Sequence, residues 1–517
     1  MSEFLPFIDH AQGGRMAAAL ERIADVQEGK TALSVLEQQI AASFAIQRTG
    51  KVYGTRFYKY ATNIVTTGTR LQASADLTCD PSTDSTEGED DFAEIPLFSW
   101  FRCNYKRDDA DGFARPSALE GTPTFAKTGA VDVGTLHPAM YWKWEDHSTY
   151  FDVYVSDTPN APLGLVPWCE QVKSDGTDMP YFIDSAFTSI TASDGLLRSQ
   201  PDGVPAYNQS YNNMITNYQK KGAGYWGAGY SRNLYGYLML MIKYVVKSSQ
   251  KIFVGHAFTY GLKAAVAYAE TGAKRILIAD NSAGFYAGAC VSLGSANSDQ
   301  GVSTAYDIVN RAKITSIENV TIDSTTYVAL NLDVSATFDT ATTQYVKFYP
   351  SLTGETDAVI GHHDGSYLSN TDGKHTFRIQ GQEYMNGQYF IASDVVMSFQ
   401  SDYSKDVYVY PRGTAHVADS ISNAVKVGNI PNFGDGSDVW IGDMACDMSH
   451  GVMYPITSGS GDSVGVGDRL YAGGKATSGF REYLCGGYLR AGSSAGLCNL
   501  NCGGGLGDAG WNVASAD

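Results

Sequence analysis

Apolar positions recur at three and four residues near the start of the chain, and at every second residue over much of the remainder. Met16, Leu20, Ile23 and Val26, then Leu33, Leu36, Ile40 and Phe44, predict two helical pieces within residues 9–46, broken near Gly29. Each piece is short for a free-standing helix. The N-terminal element, residues 1–50, is therefore read in two ways: as an attachment or oligomerisation device, or as a cover for the body's own core. From Lys51 the period becomes two, with aromatic enrichment, and predicts strands at 51–58, 95–103, 139–144 and 150–155. Residues 233–247 form the most apolar stretch. Too short to span a bilayer and carrying Lys243, it predicts a buried helix within a body covering 51–311. Alternation returns at 313–317, 326–334 and 344–349, predicting a β insertion over 312–390. Residues 451–479, rich in Gly, Ser and Asp and without clear period, read as a mobile loop leading into the tail.

Composition sharpens this picture. The 517 residues leave room for roughly two to four domains. Charged residues are only 18%, while 55 Gly and 33 Tyr favour short strands, turns and tyrosine-rich surfaces. A net charge of −18 argues against a nucleic-acid partner, because phosphate binding draws on clustered Lys and Arg. No run approaches the roughly 20 apolar residues of a membrane helix, and the Met1 segment has no basic region followed by an apolar one, so no membrane insertion is expected. Eight cysteines without a CxxC pair or zinc spacing read as free thiols of a chain made in a reducing cytoplasm.

Candidate chemistry is sparse. Gly461-Asp-Ser463-Val-Gly465 matches the pattern of a nucleophile elbow, but no helix follows to expose the Ser463 hydroxyl to a base. His362-His363-Asp364 offers imidazoles and a carboxylate; adjacent residues on a strand face opposite ways, so a polar turn is the preferred reading over a metal site with His375. The acidic run 82–91 is too irregular for a calcium loop and reads as solvated. No phosphate loop, dinucleotide fingerprint or cofactor motif is present in the sequence.

The last 39 residues differ from the rest. A frame of Gly492, Ala495-Gly496-Leu497, Gly505-Leu506-Gly507, Ala509 and Trp511 is filled with small residues that follow neither a helical nor a strand period. With Gly479-Phe-Arg-Glu-Tyr-Leu484 preceding it, this tail resembles those of variable proteins of diversity-generating retroelements. More narrowly, it resembles tail-tip receptor-binding proteins of gut bacteriophages. Phrases such as Val52-Tyr-Gly-Thr-Arg-Phe57 and Phe377-Arg-Ile-Gln-Gly-Gln-Glu-Tyr-Met385 extend the likeness beyond residue 50.

The resemblance implies an α+β chain with a C-type-lectin-like body related to formylglycine-generating enzymes, a β-rich insertion, an N-terminal helical element, and a C-terminal lectin-like part at 391–517 bearing the variable face. It implies a host-surface receptor, protein or glycan, as partner, other tail proteins bound through the N-terminus, a homotrimer, and location in the virion. It implies neither cofactor nor enzymatic activity. The alternatives are a purely structural virion protein, a formylglycine-type enzyme, and a serine hydrolase. In such systems template adenines are copied with errors, so AAC codons scatter into Tyr, Ser, Gly, Asp, Cys, Arg, Ala or Leu, and never into Lys, Glu, Gln, Met or Trp. The candidate variable positions are Tyr488, Arg490, Ala491, Ser494, Cys498, Asn499, Asn501, Cys502, Gly503, Gly504, Asp508, Gly510 and Asn512, and every one lies in the allowed set or is Asn itself. Tyr488 and Arg490 are the expected anchors, being of the types that dominate contact energy at interfaces. The Trp511-Asn512-Val513 sequence departs from the Trp-Asn-Asp of calcium-dependent lectins, so calcium-bridged sugar binding is not carried over.

Overall fold

The computed structural model describes residues 33–259, 263–297, 301–414, 416 and 420–517. Among them are 29 strands and three α-helices, Val35–Gln47, Tyr211–Gln219 and Tyr230–Tyr244. The expectation of an α+β, C-type-lectin-like body is therefore corrected: the chain is mostly β, arranged in several sheets and one closed barrel. Composition points the same way, and the two described helices that apolar spacing predicts, Val35–Gln47 and Tyr230–Tyr244, are packed against these sheets.

The first predicted helical piece lies outside the described residues. The second begins at a capping box, in which the Glu37 amide donates to Ser34 Oγ (3.2 Å) and the Ser34 amide to Glu37 Oε2 (2.8 Å). Ile40 and Phe44 then pack on a four-stranded sheet ordered Ala114–Leu119, Phe101–Arg107, Asp132–Pro138, Tyr181–Ser185. Arg115 (2.8 Å) and the Tyr181 hydroxyl (2.6 Å) both reach Glu37 from that sheet. This piece covers the chain's own core.

The predicted apolar helix is Tyr230–Tyr244, and every one of its residues is buried. It packs against a five-stranded sheet containing Val52–Tyr58 and Tyr150–Ser156, and against the largest sheet, which carries the tail. Lys243 survives in this core because it meets Asp364 (2.6 Å) and Asp90 (2.9 Å), both also buried. Two sequence features thus find a structural use. Asp90 comes from the acidic run, and Asp364 from the His-His-Asp triplet. His362 lies against Trp100, and His363 pairs with Glu87 (3.0 Å).

The barrel runs from Lys263 to Phe348 in the order Lys263–Tyr268, Arg275–Ile278, Thr325–Leu332, Val309–Ile322, Cys290–Gly294, Tyr345–Phe348, where the last strand pairs back to the first. It starts earlier and ends sooner than the 312–390 pattern indicated. Phe377–Ile379 and Gln382–Tyr384 belong to a separate three-stranded sheet, and Tyr389–Phe399 to the large one. The barrel has its own interior of Val266, Ile276, Ile278, Val291, Leu293, Ile314, Leu330 and Phe348.

The large sheet orders its strands Val425–Ile430, Lys405–Val409, Tyr389–Phe399, Phe480–Gly486, Gly496–Asn501, Arg469–Tyr471, Val439–Asp447, Val452–Gly459, with Val513–Ala514 beside Tyr389–Phe399. Two of these strands fall inside 451–479, the segment expected as a loop; Val452, Met453 and Leu470 are buried there. Ser463 sits in the turn between them, without a following helix. No described helix is long and apolar enough to cross a membrane.

Candidate ligand-binding face at the C-terminus

Phe480–Gly486 enters the sheet antiparallel to Tyr389–Phe399 and pairs on its other edge with Gly496–Asn501, in the register Cys485↔Leu500. Gly496–Asn501 is also paired, in parallel, with Arg469–Tyr471. It is therefore an interior strand, covered on one side by the Tyr230–Tyr244 helix, whose Asn233 donates to the Leu497 carbonyl (2.6 Å).

Two candidates, Cys498 and Asn499, lie within this strand, and two more, Ser494 and Cys502, are buried on either side of it. Cys498, Asn499 and Cys502 are at most 2% exposed and Ser494 is 8% exposed. Cys498 is hydrogen-bonded with the Tyr237 hydroxyl and Cys502 lies 3.4 Å from Met397 Sδ. Asn499 Nδ2 donates to the carbonyls of Ser494 (2.8 Å) and Arg469 (2.9 Å). These residues hold the sheet together and present nothing to a partner. An interior strand covered on both faces loses the alternation that marks a half-exposed one, so in sequence its small polar residues look like loop filling.

The other nine reach the surface in whole or in part. Five gather near Tyr389 and Trp511. The Tyr488 ring stacks on Tyr389 (centroids 5.3 Å apart) and meets Trp511 edge-on (6.2 Å), while the Arg490 guanidinium lies 5.5 Å from the Trp511 ring centre. The Asn501 side chain hydrogen-bonds the Tyr389 phenol, and the Asn512 carbonyl accepts the Tyr389 amide (2.8 Å). Gly510 adjoins this group, its carbonyl accepting from the Asn208 amide (2.9 Å). Ala491 packs partly against the main core. Gly503, Gly504 and Asp508 form a second group on the turn after Asn501, beside Glu482. There the Glu482 amide donates to the Gly504 carbonyl (3.1 Å), and Asp508 Oδ2 accepts from the Gly505 amide (2.7 Å). Burial pushes the Glu482 carboxyl up to about 8, and the nearby Asp508 charge adds to the rise. Tyr389, the platform of the first group, was missed by the sequence reading; a tyrosine on a strand gives no local signal that the tail will fold back over it.

Glycines in the tail fall into two kinds. Gly487 (φ +111°) and Gly496 (φ +147°) need their residue type: a Cβ would come within 2.7 Å of Ala495 Cβ or 2.0 Å of Asp468 Oδ1. Gly503, Gly504 and Gly510, all candidate variable positions, have no left-handed φ. At Gly503 and Gly510 the nearest atoms a Cβ would meet are the ends of the partly exposed Asn501 and Asn512 side chains, whereas at Gly504 it would come within 2.1 Å of Oε1 of the buried Glu482. Gly507, read as frame, is exposed, and a Cβ there would meet no atom within 4 Å.

The face rests on a buried anchor. Past Trp511, the Ser189 amide donates to the Ser515 carbonyl (2.8 Å) and the Ala228 amide to the Ala516 carbonyl (2.7 Å). The Asp517 carboxylate meets Lys221 (2.6 Å), which also holds Asp132 (3.1 Å). Comparison with protein-family models and with curated proteins returned no match.

Proposed function

We propose that this chain is a receptor-binding tail protein of a phage or prophage, of the kind diversified by a retroelement. It recognises a host-surface ligand through the nine surface positions of residues 488–512, and does so without catalysis. The observation that carries this reading is the behaviour of the glycines. Within one stretch, those at 503 and 510 sit where a side chain can be added and lost, while Gly487 and Gly496, outside the candidate set, are fixed by backbone conformation. A fold that separates replaceable surface positions from a rigid frame suits a surface written to vary. Tyr488 and Arg490, stacked on Tyr389 and Trp511, supply anchors of low conformational cost. Attachment through the N-terminus and a trimeric assembly complete the proposal; several linked copies would raise avidity by roughly 10²–10⁴ over one weak site.

The test is genomic. A near-copy of the codons for Gly487–Asn512 should lie beside the gene with a reverse transcriptase. It should differ only at adenines, with AAC concentrated at the surface positions and few differences at Cys498, Asn499 and Cys502. Absence of the copy, or differences at other bases, would end the diversification reading. A Tyr488→Ala, Arg490→Ala double variant that binds host cells as well as the parent would remove the face.

A further inference from the structure

A cavity of about 450 Å³ lies at the N-terminal end of the Tyr230–Tyr244 helix, beside the C-terminal anchor and apart from residues 488–512. That falls in the range of small-molecule sites, about 300–1,000 Å³. Its lining comes from segments far apart in sequence and combines two kinds of surface. Trp226 and Tyr410 supply aromatic walls, with the His416 ring set between them (5.4 and 4.3 Å). The lining also includes Glu170, Asp184, Asp394 and Arg412.

The charges decide what fits. The cationic groups of the wall are already matched: Arg412 by Glu170, Lys173 by Asp111 (3.4 Å), and Arg107 by Asp517 (3.6 Å). Glu170 also takes the Ser231 hydroxyl (2.5 Å). Burial works against its charge, but Arg412 and that hydroxyl outweigh it and hold its pKa below the usual range. Asp394 and Asp184 are less committed. Asp394 Oδ1 accepts the Tyr230 amide (2.8 Å), capping the helix, and Asp184 Oδ2 accepts from Gln382 (3.1 Å), with Arg232 and Arg107 acting on it from a distance; neither carboxylate has a direct ion pair among the described residues. Burial pushes both carboxyls up to about 7, with the Glu170 charge adding to it. Near neutral pH, each is therefore present both as a donor and as an acceptor.

We propose that this cavity is a fixed binding site for a small neutral saccharide, a site separate from the variable face. The pairing of the cationic groups leaves no attraction for an anion, the carboxyl groups can both give and accept hydrogen bonds as hydroxyls require, and the aromatic walls suit the apolar face of a sugar ring. None of the cavity's residues belongs to the 488–512 span, so its specificity stays constant while the tail changes.

The full chain should be titrated by calorimetry and tryptophan fluorescence with glucose, galactose, mannose and N-acetylglucosamine, and with lactose and maltose. At least one sugar should bind. Trp226→Ala and Asp394→Asn should each weaken that binding about tenfold or more, a change of 1.4 kcal/mol. Asn at 394 keeps an oxygen for the Tyr230 amide, so the helix cap is preserved. Trp226→Phe, which retains a ring, should stay within about threefold of the parent. The Tyr488→Ala, Arg490→Ala variant should bind the sugar unchanged, which separates this site from the tail face. Failure of every sugar to bind, parent-like affinity in both Trp226→Ala and Asp394→Asn, or loss of sugar binding in the tail variant would each overturn the proposal.

Discussion

Asn499 and Asp508 were equal candidates in sequence, and their replacement by alanine should have opposite consequences. Asn499 is fully buried and donates twice, to the carbonyls of Arg469 and Ser494. Asn499→Ala leaves those carbonyls without that donor, at about 1–3 kcal/mol for each buried group left unsatisfied, and opens a small void. One term runs the other way. Asn499 Oδ1 has no hydrogen-bond partner among the described residues, so removing it relieves a desolvation cost of similar kind. The balance is a loss of about 2–4 kcal/mol. Asp508 is exposed, and its hydrogen bond to the Gly505 amide spans three residues of a turn. Asp508→Ala should cost within about 0.5 kcal/mol. Urea denaturation followed by tyrosine and tryptophan fluorescence measures both, with the slope compared alongside the midpoint to exclude a change in the unfolded state. If Asn499→Ala changes stability by less than 0.5 kcal/mol, the division of the tail into frame and face is unfounded.

Three further expectations rest on the same physical terms. The Glu482 carboxyl is raised in the fold, so its favourable contribution is complete below the unfolded value near 4.5 and is lost as pH rises through about 8. Glu482→Gln should therefore remove part of the fall in melting temperature between pH 5 and pH 8.5, a part worth up to about 4 kcal/mol; an unchanged pH profile would refute the assignment. Lys243→Met leaves Asp90 and Asp364 facing each other in the core and should destabilise by about 3–5 kcal/mol, with Asp364→Asn partly restoring stability; a loss under 1 kcal/mol would show that the core does not depend on the pair. Gly496→Ala should lower the melting temperature clearly, whereas Gly503→Ser should leave it within about 2 °C, as read by differential scanning fluorimetry; equal effects would contradict the two kinds of glycine.

Sequence periodicity was informative where one element carried its own signal. Val52–Tyr58 and Tyr150–Ser156 were legible from aromatic alternation, and Tyr230–Tyr244 from an apolar run that contains Lys243. The partners of that lysine were not, since Asp90 and Asp364 come from loops that looked solvated. The exposed half of the tail could be read because small residues between frame positions do reach the surface. The buried half could not, because whether Gly496–Asn501 lies inside a sheet depends on Arg469–Tyr471 and Phe480–Gly486 flanking it. The cavity left no trace in the sequence at all: Glu170, Trp226, Asp394 and Arg412 are brought together only by tertiary packing.

The closure of the barrel has a topological corollary. Lys263 pairs directly with Lys347, so the chain enters and leaves this unit through neighbouring strands. With a core of its own and adjoining points of entry and exit, the unit has the layout of a cassette, which a short linker could bridge without stretching the sheets on either side. The chain could then exchange or discard this module in a single recombination event while the separate sheet that carries residues 488–512 stayed intact.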